Sequence, residues 1–180
     1  MDAALYSTIW VALGLFVVAE LGKQQFSRLG AVPDWAWLAS LSGASLCALH
    51  IVLAFAGRHG WSHDMAVRET ARQTAAVYGI NWGGGVYVNY LFVAAWLTEA
   101  WWWRAYPAHY FNRQRPITWA LRAFYLLIVV NAAVVFASVP GRTVGVVLVG
   151  VLLWAWRPGS GVGFSSLDGP RPDAARKSSS

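Results

Sequence analysis

The chain has 180 residues, of which 57% are hydrophobic and only 12% charged, with 12 tryptophans and a formal net charge of +6. Soluble proteins carry about 25% charged residues, so this composition excludes an ordinary soluble domain and points to the membrane class. Its 14 Lys and Arg sit mostly between apolar blocks, where basic residues orient helices and meet lipid headgroups, so the basicity does not argue for a nucleic-acid partner.

The first apolar block, about residues 5–21, follows a segment with Asp2 and no Lys or Arg. A cleaved signal peptide needs a basic n-region, so the block is expected to stay as the first membrane helix. Lys23 and Arg28 form its charged flank. Pro33-Asp34 predicts a helix start, and residues 34–57 a second span with Trp35 and Trp37 at the interface. Within it Ala39, Gly43 and Cys47 recur every four residues, with Ser40, Ala44 and Ala48 one step round, a small-residue face that lets helices approach closely in lipid. Cys47 is the one cysteine, which excludes an intrachain disulfide.

Between Gly57 and Val77 charges interleave with apolar residues at three- and four-residue intervals. Ser62 or Asp64 is placed to cap a helix of about four turns, expected to be an amphipathic surface helix between spans two and three. The third span, 78–103, opens on Asn81, Trp82, Gly83, Gly84 and Gly85 and closes on Glu99 and Trp101-Trp102-Trp103. Glycine costs about 1 kcal/mol relative to alanine inside a helix. Either the helix proper therefore starts near Val86, or another element packs against the bare backbone.

A loop from Arg104 to Pro116 precedes a fourth span, 117–139, and Pro140-Gly141 is expected to be a turn. The fifth block, 142–156, is short against the roughly 20 residues of a usual span. Arg142 snorkelling and Trp154 and Trp156 anchoring can stretch it, and the alternative is four spans plus a re-entrant or surface segment. Residues 157–180, rich in Gly, Pro, Ser and charge, are expected to form a flexible cytoplasmic tail. The expected fold is an all-α integral membrane protein, one domain of five transmembrane helices.

With five spans, nine basic residues fall on one side (Lys23, Arg28, Arg104, Arg113, Arg115 and four in the tail) and four on the other (Arg58, Arg68, Arg72, Arg142). The positive-inside rule then places the N-terminus outside and the C-terminus in the cytoplasm, with a bacterial inner membrane as the expected location.

Polar groups inside spans are costly and are the default functional candidates. His50, Asn89 and Asn131 fall at similar depth in the outer half of the membrane, as a binding or packing cluster below the Asn81, Gly83, Gly84 and Gly85 turn. Near the other face, Arg122 calls for a carboxylate, with Glu99 the first choice and Glu20 the second. His59 and His63 make half a metal site at most, since zinc usually takes three or four protein ligands, and no metal or other cofactor is expected. His50 is the only histidine well inside a predicted span, which leaves a haem with one ligand per chain.

No P-loop, GxSxG or paired-carboxylate signature is present, and no Lys lies within a predicted span to carry a retinal Schiff base. The expected role is a structural or interaction subunit of a larger membrane complex, with the bilayer and other membrane proteins or further copies as partners. The alternative is an oligomeric transporter or channel for small solutes or ions lined by the polar cluster. A membrane enzyme built on His50 comes third.

Overall fold

The computed structural model describes residues 2–24 and 33–157. The flank at Arg28 and the tail from 158 onward lie outside the described residues. Within them every regular element is helical: α1 (Asp2–Gln24), α2 (Asp34–Gly57), α3 (His63–Tyr78), α4 (Gly85–Ala105), the short α5 (Pro107–Phe111), α6 (Arg115–Val130) running on into a π-helical turn (Asn131–Val135), and α7 (Val139–Ala155). Three helical stretches are long and apolar enough to cross a membrane: Ala4–Gln24, Asp34–Gly57 and Arg115–Val135. At 21 residues α4 is as long, about 31 Å at 1.5 Å per residue, but its tryptophans and tyrosines, Glu99 and Arg104 make it less apolar.

Five helices form a closed ring in which neighbours touch in the order α1, α2, α4, α6, α7 and back to α1. Phe16, Phe92, Trp96 and Tyr125 meet at its centre. The Phe16 ring lies 5.0 Å from Trp96 and 5.3 Å from Tyr125, and Phe92 lies 5.7 Å from Tyr125, all within the range where aromatic pairs attract. The small-residue face of α2 is buried at Ala39, Ser40, Gly43, Ala44 and Cys47. A β-carbon on Gly43 would lie 2.8 Å from the Trp96 indole, so glycine is what admits the largest core side chain. The indole then donates to Ser40 Oγ at 3.0 Å, while Trp37 of α2 donates to the Ala100 carbonyl of α4 at 3.0 Å.

Helix α3 is capped by Ser62, whose hydroxyl accepts from Met65 N, and ends at Gly79, left-handed at φ 73°, a backbone that glycine adopts without strain. The predicted stretch 78–103 is thus divided: Tyr78 belongs to α3, residues 79–84 to a turn, and the helix proper starts at Gly85. Both readings of the glycine triplet have a counterpart here. The helix begins late, and α3 also lies on the triplet, because a β-carbon on Gly83 would meet Val67 Cγ1 at 2.5 Å and one on Gly85 would meet Thr70 Cγ2 at 2.9 Å.

Pro140-Gly141 is not a turn. Both residues sit in the first turn of α7, which starts at Val139, where proline loses no helical hydrogen bond because that N–H has no partner anyway. Arg142 is exposed, and its Nε donates to the Val134 carbonyl at 2.9 Å, satisfying a helix-end acceptor left by the π turn.

Candidate functional site

Polar residues gather at both ends of the ring. Where α1 finishes, Glu20 and Lys23 are three residues apart and so share a helix face. Lys23 Nζ lies 2.5 Å from Glu20 Oε1 and 3.4 Å from Glu99 Oε1 of α4. Arg113, between α5 and α6, approaches the same Glu99 oxygen at 3.4 Å, and the Tyr110 hydroxyl of α5 donates to it. Trp156 Nε1 donates to Glu20 Oε2 at 2.8 Å. Aromatic faces cover the cations: Lys23 Nζ is 5.2 Å from the Trp103 ring, and the Arg113 guanidinium 4.1 Å from that of Tyr110.

Glu20, Lys23 and Glu99 are all buried, so this node sets two carboxylates against two cations largely out of water. Burial raises the Tyr110 hydroxyl above its ordinary pKa, with the Glu99 carboxylate adding to the shift, so the group keeps its proton and stays a donor. The Tyr125 hydroxyl of α6 also faces Glu99, although neither it nor Glu99 Oε2 has a hydrogen-bond partner among the described residues.

The expected pairing of Glu99 with Arg122 is not formed. The Arg122 guanidinium lies over the Trp119 and Trp156 rings at 5.7 and 5.5 Å; Glu20, the second choice, is the carboxylate that acts on it most strongly but is itself bonded to Lys23. The reason is α5: this five-residue helix buries Tyr110 against the Trp103 ring and delivers Arg113 to the carboxylate before α6 begins. Sequence reasoning alone does not single out Lys23, Tyr110 or Arg113. The spacing of Glu20 and Lys23 is a readable signal, whereas a single helical turn inside a loop offers no periodicity to read.

At the opposite end an open cleft of about 850 Å³ is lined by Tyr6 and Trp10 of α1, His50 of α2, Glu69 of α3, Asn89 of α4 and Ser138 before α7. His50 Nδ1 is 2.9 Å from the Leu5 carbonyl and 3.2 Å from Thr8 Oγ1. A carbonyl only accepts, so Nδ1 carries the proton and Nε2 is left as the lone pair of a side chain that lines the cleft. The Asn89 side chain is exposed and makes no hydrogen bond among the described residues. Asn131 does not join them: its Oδ1 accepts from the Tyr78 hydroxyl at 2.5 Å, and its amide donates to the Leu127 carbonyl at 2.7 Å. The expected trio is therefore a pair facing the cleft and a third residue that ties α3 to α6.

His63 sits among Phe55, Tyr87 and Tyr90 with ring centroids 5.4 to 6.2 Å away. Its Nε2 is hydrogen-bonded to the Tyr87 hydroxyl at 3.0 Å. His59 packs edge-on against Phe55 at 5.7 Å and also lines the cleft, and Asn81 is exposed in the turn before the glycines. Among the described residues no group of three or more His, Cys, Asp or Glu converges to hold a metal ion. No known protein family matches the chain, and no curated protein or solved structure matches it either.

Proposed function

We propose that the protein is a five-span integral membrane protein, α1, α2, α4, α6 and α7 being the spans and α3 a surface helix, that serves as a structural or interaction subunit of a larger membrane assembly. The observation that carries this is the outward face of α7. Val146, Val147, Leu153 and Trp154 are exposed there, and a β-carbon on Gly150 among them would meet nothing within 4 Å. A glycine notch on an exposed apolar helix is where a second helix approaches closely in lipid. The buried node supports the same reading, because its charges neutralise one another and hold α1, α4 and α7 in place. The nine-to-four distribution of basic residues supports an N-terminus outside, a cytoplasmic C-terminus and a bacterial inner membrane.

Purification of the full chain in mild detergent, with mass by light scattering and identification of co-purifying chains, tests this. A stoichiometric partner chain is expected, with Gly150→Leu expected to abolish the association while the chain still folds, and a homo-oligomer carrying no other chain overturns this reading in favour of the second one below. A wild-type chain that runs as a lone monomer overturns the proposal.

The second reading is a transporter or channel for small solutes or ions, favoured by the free valences of His50 and Asn89 in the cleft. The Phe16, Phe92, Trp96 and Tyr125 layer lies between cleft and node, so a path runs between copies rather than through one.

A further inference from the structure

The cleft shares a wall with a second hollow of opposite character. A groove of about 450 Å³ runs down the outside of the ring between α1 and α7, bounded by Gly14, Gly141, Val144 and Leu148. Tyr6 and Trp10 line both spaces, their rings 5.9 Å apart, so crossing this one ring pair leads from polar to apolar surroundings. Gly141 makes the partition possible, since a β-carbon there would lie 2.8 Å from the Trp10 ring and 3.0 Å from the Tyr6 hydroxyl. Gly14 leaves the groove open, with nothing within 4 Å of where its β-carbon would be.

We infer that cleft and groove together are a site for one anionic phospholipid with a hydroxyl-bearing headgroup, its phosphate in the cleft and one acyl chain in the groove. Phosphodiester oxygens only accept hydrogen bonds, and the lining of the cleft includes donors: the guanidiniums of Arg58 and Arg72 and the Asn89 amide, which makes no hydrogen bond among the described residues. Glu69, the carboxylate on the cleft wall, is already bonded to Arg72. The lone pair on His50 Nε2 accepts from a headgroup hydroxyl. From Tyr6 to Gly14 the groove follows about 12 Å of helix at 1.5 Å per residue, close to one leaflet's half of a hydrocarbon core about 30 Å thick. A partner helix of 10–12 Å diameter would need roughly 1,000 Å³ over that length, more than twice the groove, whereas a single acyl chain is slender enough to enter it.

The site rests on the reading of the chain as a membrane bundle, and one preparation separates the two. The full-length chain is extracted in mild detergent, and retained lipid is identified by native mass spectrometry after exchange into phosphatidylcholine with and without phosphatidylglycerol. Phosphatidylglycerol is expected to be retained in preference. Gly14→Leu, whose β-carbon meets nothing within 4 Å, and Asn89→Ala, which breaks no hydrogen bond among the described residues, are each expected to retain about tenfold less, the effect of one well-placed contact. Equal retention of the two lipids, or retention unchanged in both variants, overturns the site. A chain that needs detergent for extraction yet carries no lipid also overturns the site and leaves the bundle standing. Release by alkaline carbonate without detergent overturns both.

Discussion

Where α1 finishes, Glu20, Lys23, Glu99 and Arg113 neutralise one another beneath Trp103, Tyr110 and Trp156. Where α1 begins, His50 uses one nitrogen and Asn89 neither side-chain atom in hydrogen bonds among the described residues. The same chemical problem, polarity among apolar helices, thus has two solutions. A buried charge is tolerated only with its opposite beside it, so the node is closed and each member depends on the others. An unpaired amide is tolerated only where water or a ligand reaches it, so the His50 end is open. The contrast separates what holds the helices in position from what is free to meet something else.

The sharpest way to break that contrast is Lys23→Met. It leaves Glu20 with only the more remote charge of Arg122 and Glu99 with Arg113 as its ion-pair partner, and removing one partner of a buried pair costs about 3–5 kcal/mol. A large fall in thermal stability in detergent is expected, and a variant as stable as the wild type shows that the node does not brace the bundle. Tyr110→Phe is milder, since it removes one hydrogen bond to a charged acceptor, worth about 1.5–3 kcal/mol. Measured beside Glu99→Gln and the double variant, its loss should be less than additive, because both act on the same bond. Ser62→Ala removes the N-cap of α3, a loss of about 1 kcal/mol, and is expected to speed amide hydrogen exchange in the first turn of α3 while leaving α4 protected. At the open end, Asn89→Ala should stay within about 0.5 kcal/mol of wild type. A larger loss would mean that the cleft is closed by contacts of its own.

Much of this was readable beforehand. The starts at Asp34 and at Ser62 or Asp64, of which Ser62 is the cap, the buried face of Ala39, Gly43 and Cys47, and the grouping of Glu20 and Glu99 at one end all follow from spacing and capping rules that act within a few residues. Which cation reaches Glu99 is not readable, because the choice turns on α5, a single turn with no pattern to find, which carries Arg113 from the loop to the carboxylate. Pro140-Gly141 was misread because the same dipeptide suits a turn and a first helical turn, and only the preceding Ser138, extended at ψ 160°, separates the two. Predicted depth alone groups Asn131 with His50 and Asn89. Its rotation about α6 turns it toward Tyr78, and depth contains no information about rotation.

Sequence by itself determined what depends on local composition and period: an all-helical chain, apolar stretches long enough for a membrane, and polar residues at two levels. Tertiary structure decided what depends on angle around the ring and on distances across it: the order α1, α2, α4, α6, α7, the pairing of Glu99 with Lys23 and Arg113, and the shared wall of Tyr6 and Trp10. The physical reason is that helix formation and amphipathicity are settled within one or two turns. Electrostatic pairing between helices is settled by whichever group arrives within a few ångströms, and in this chain short connecting segments govern that arrival.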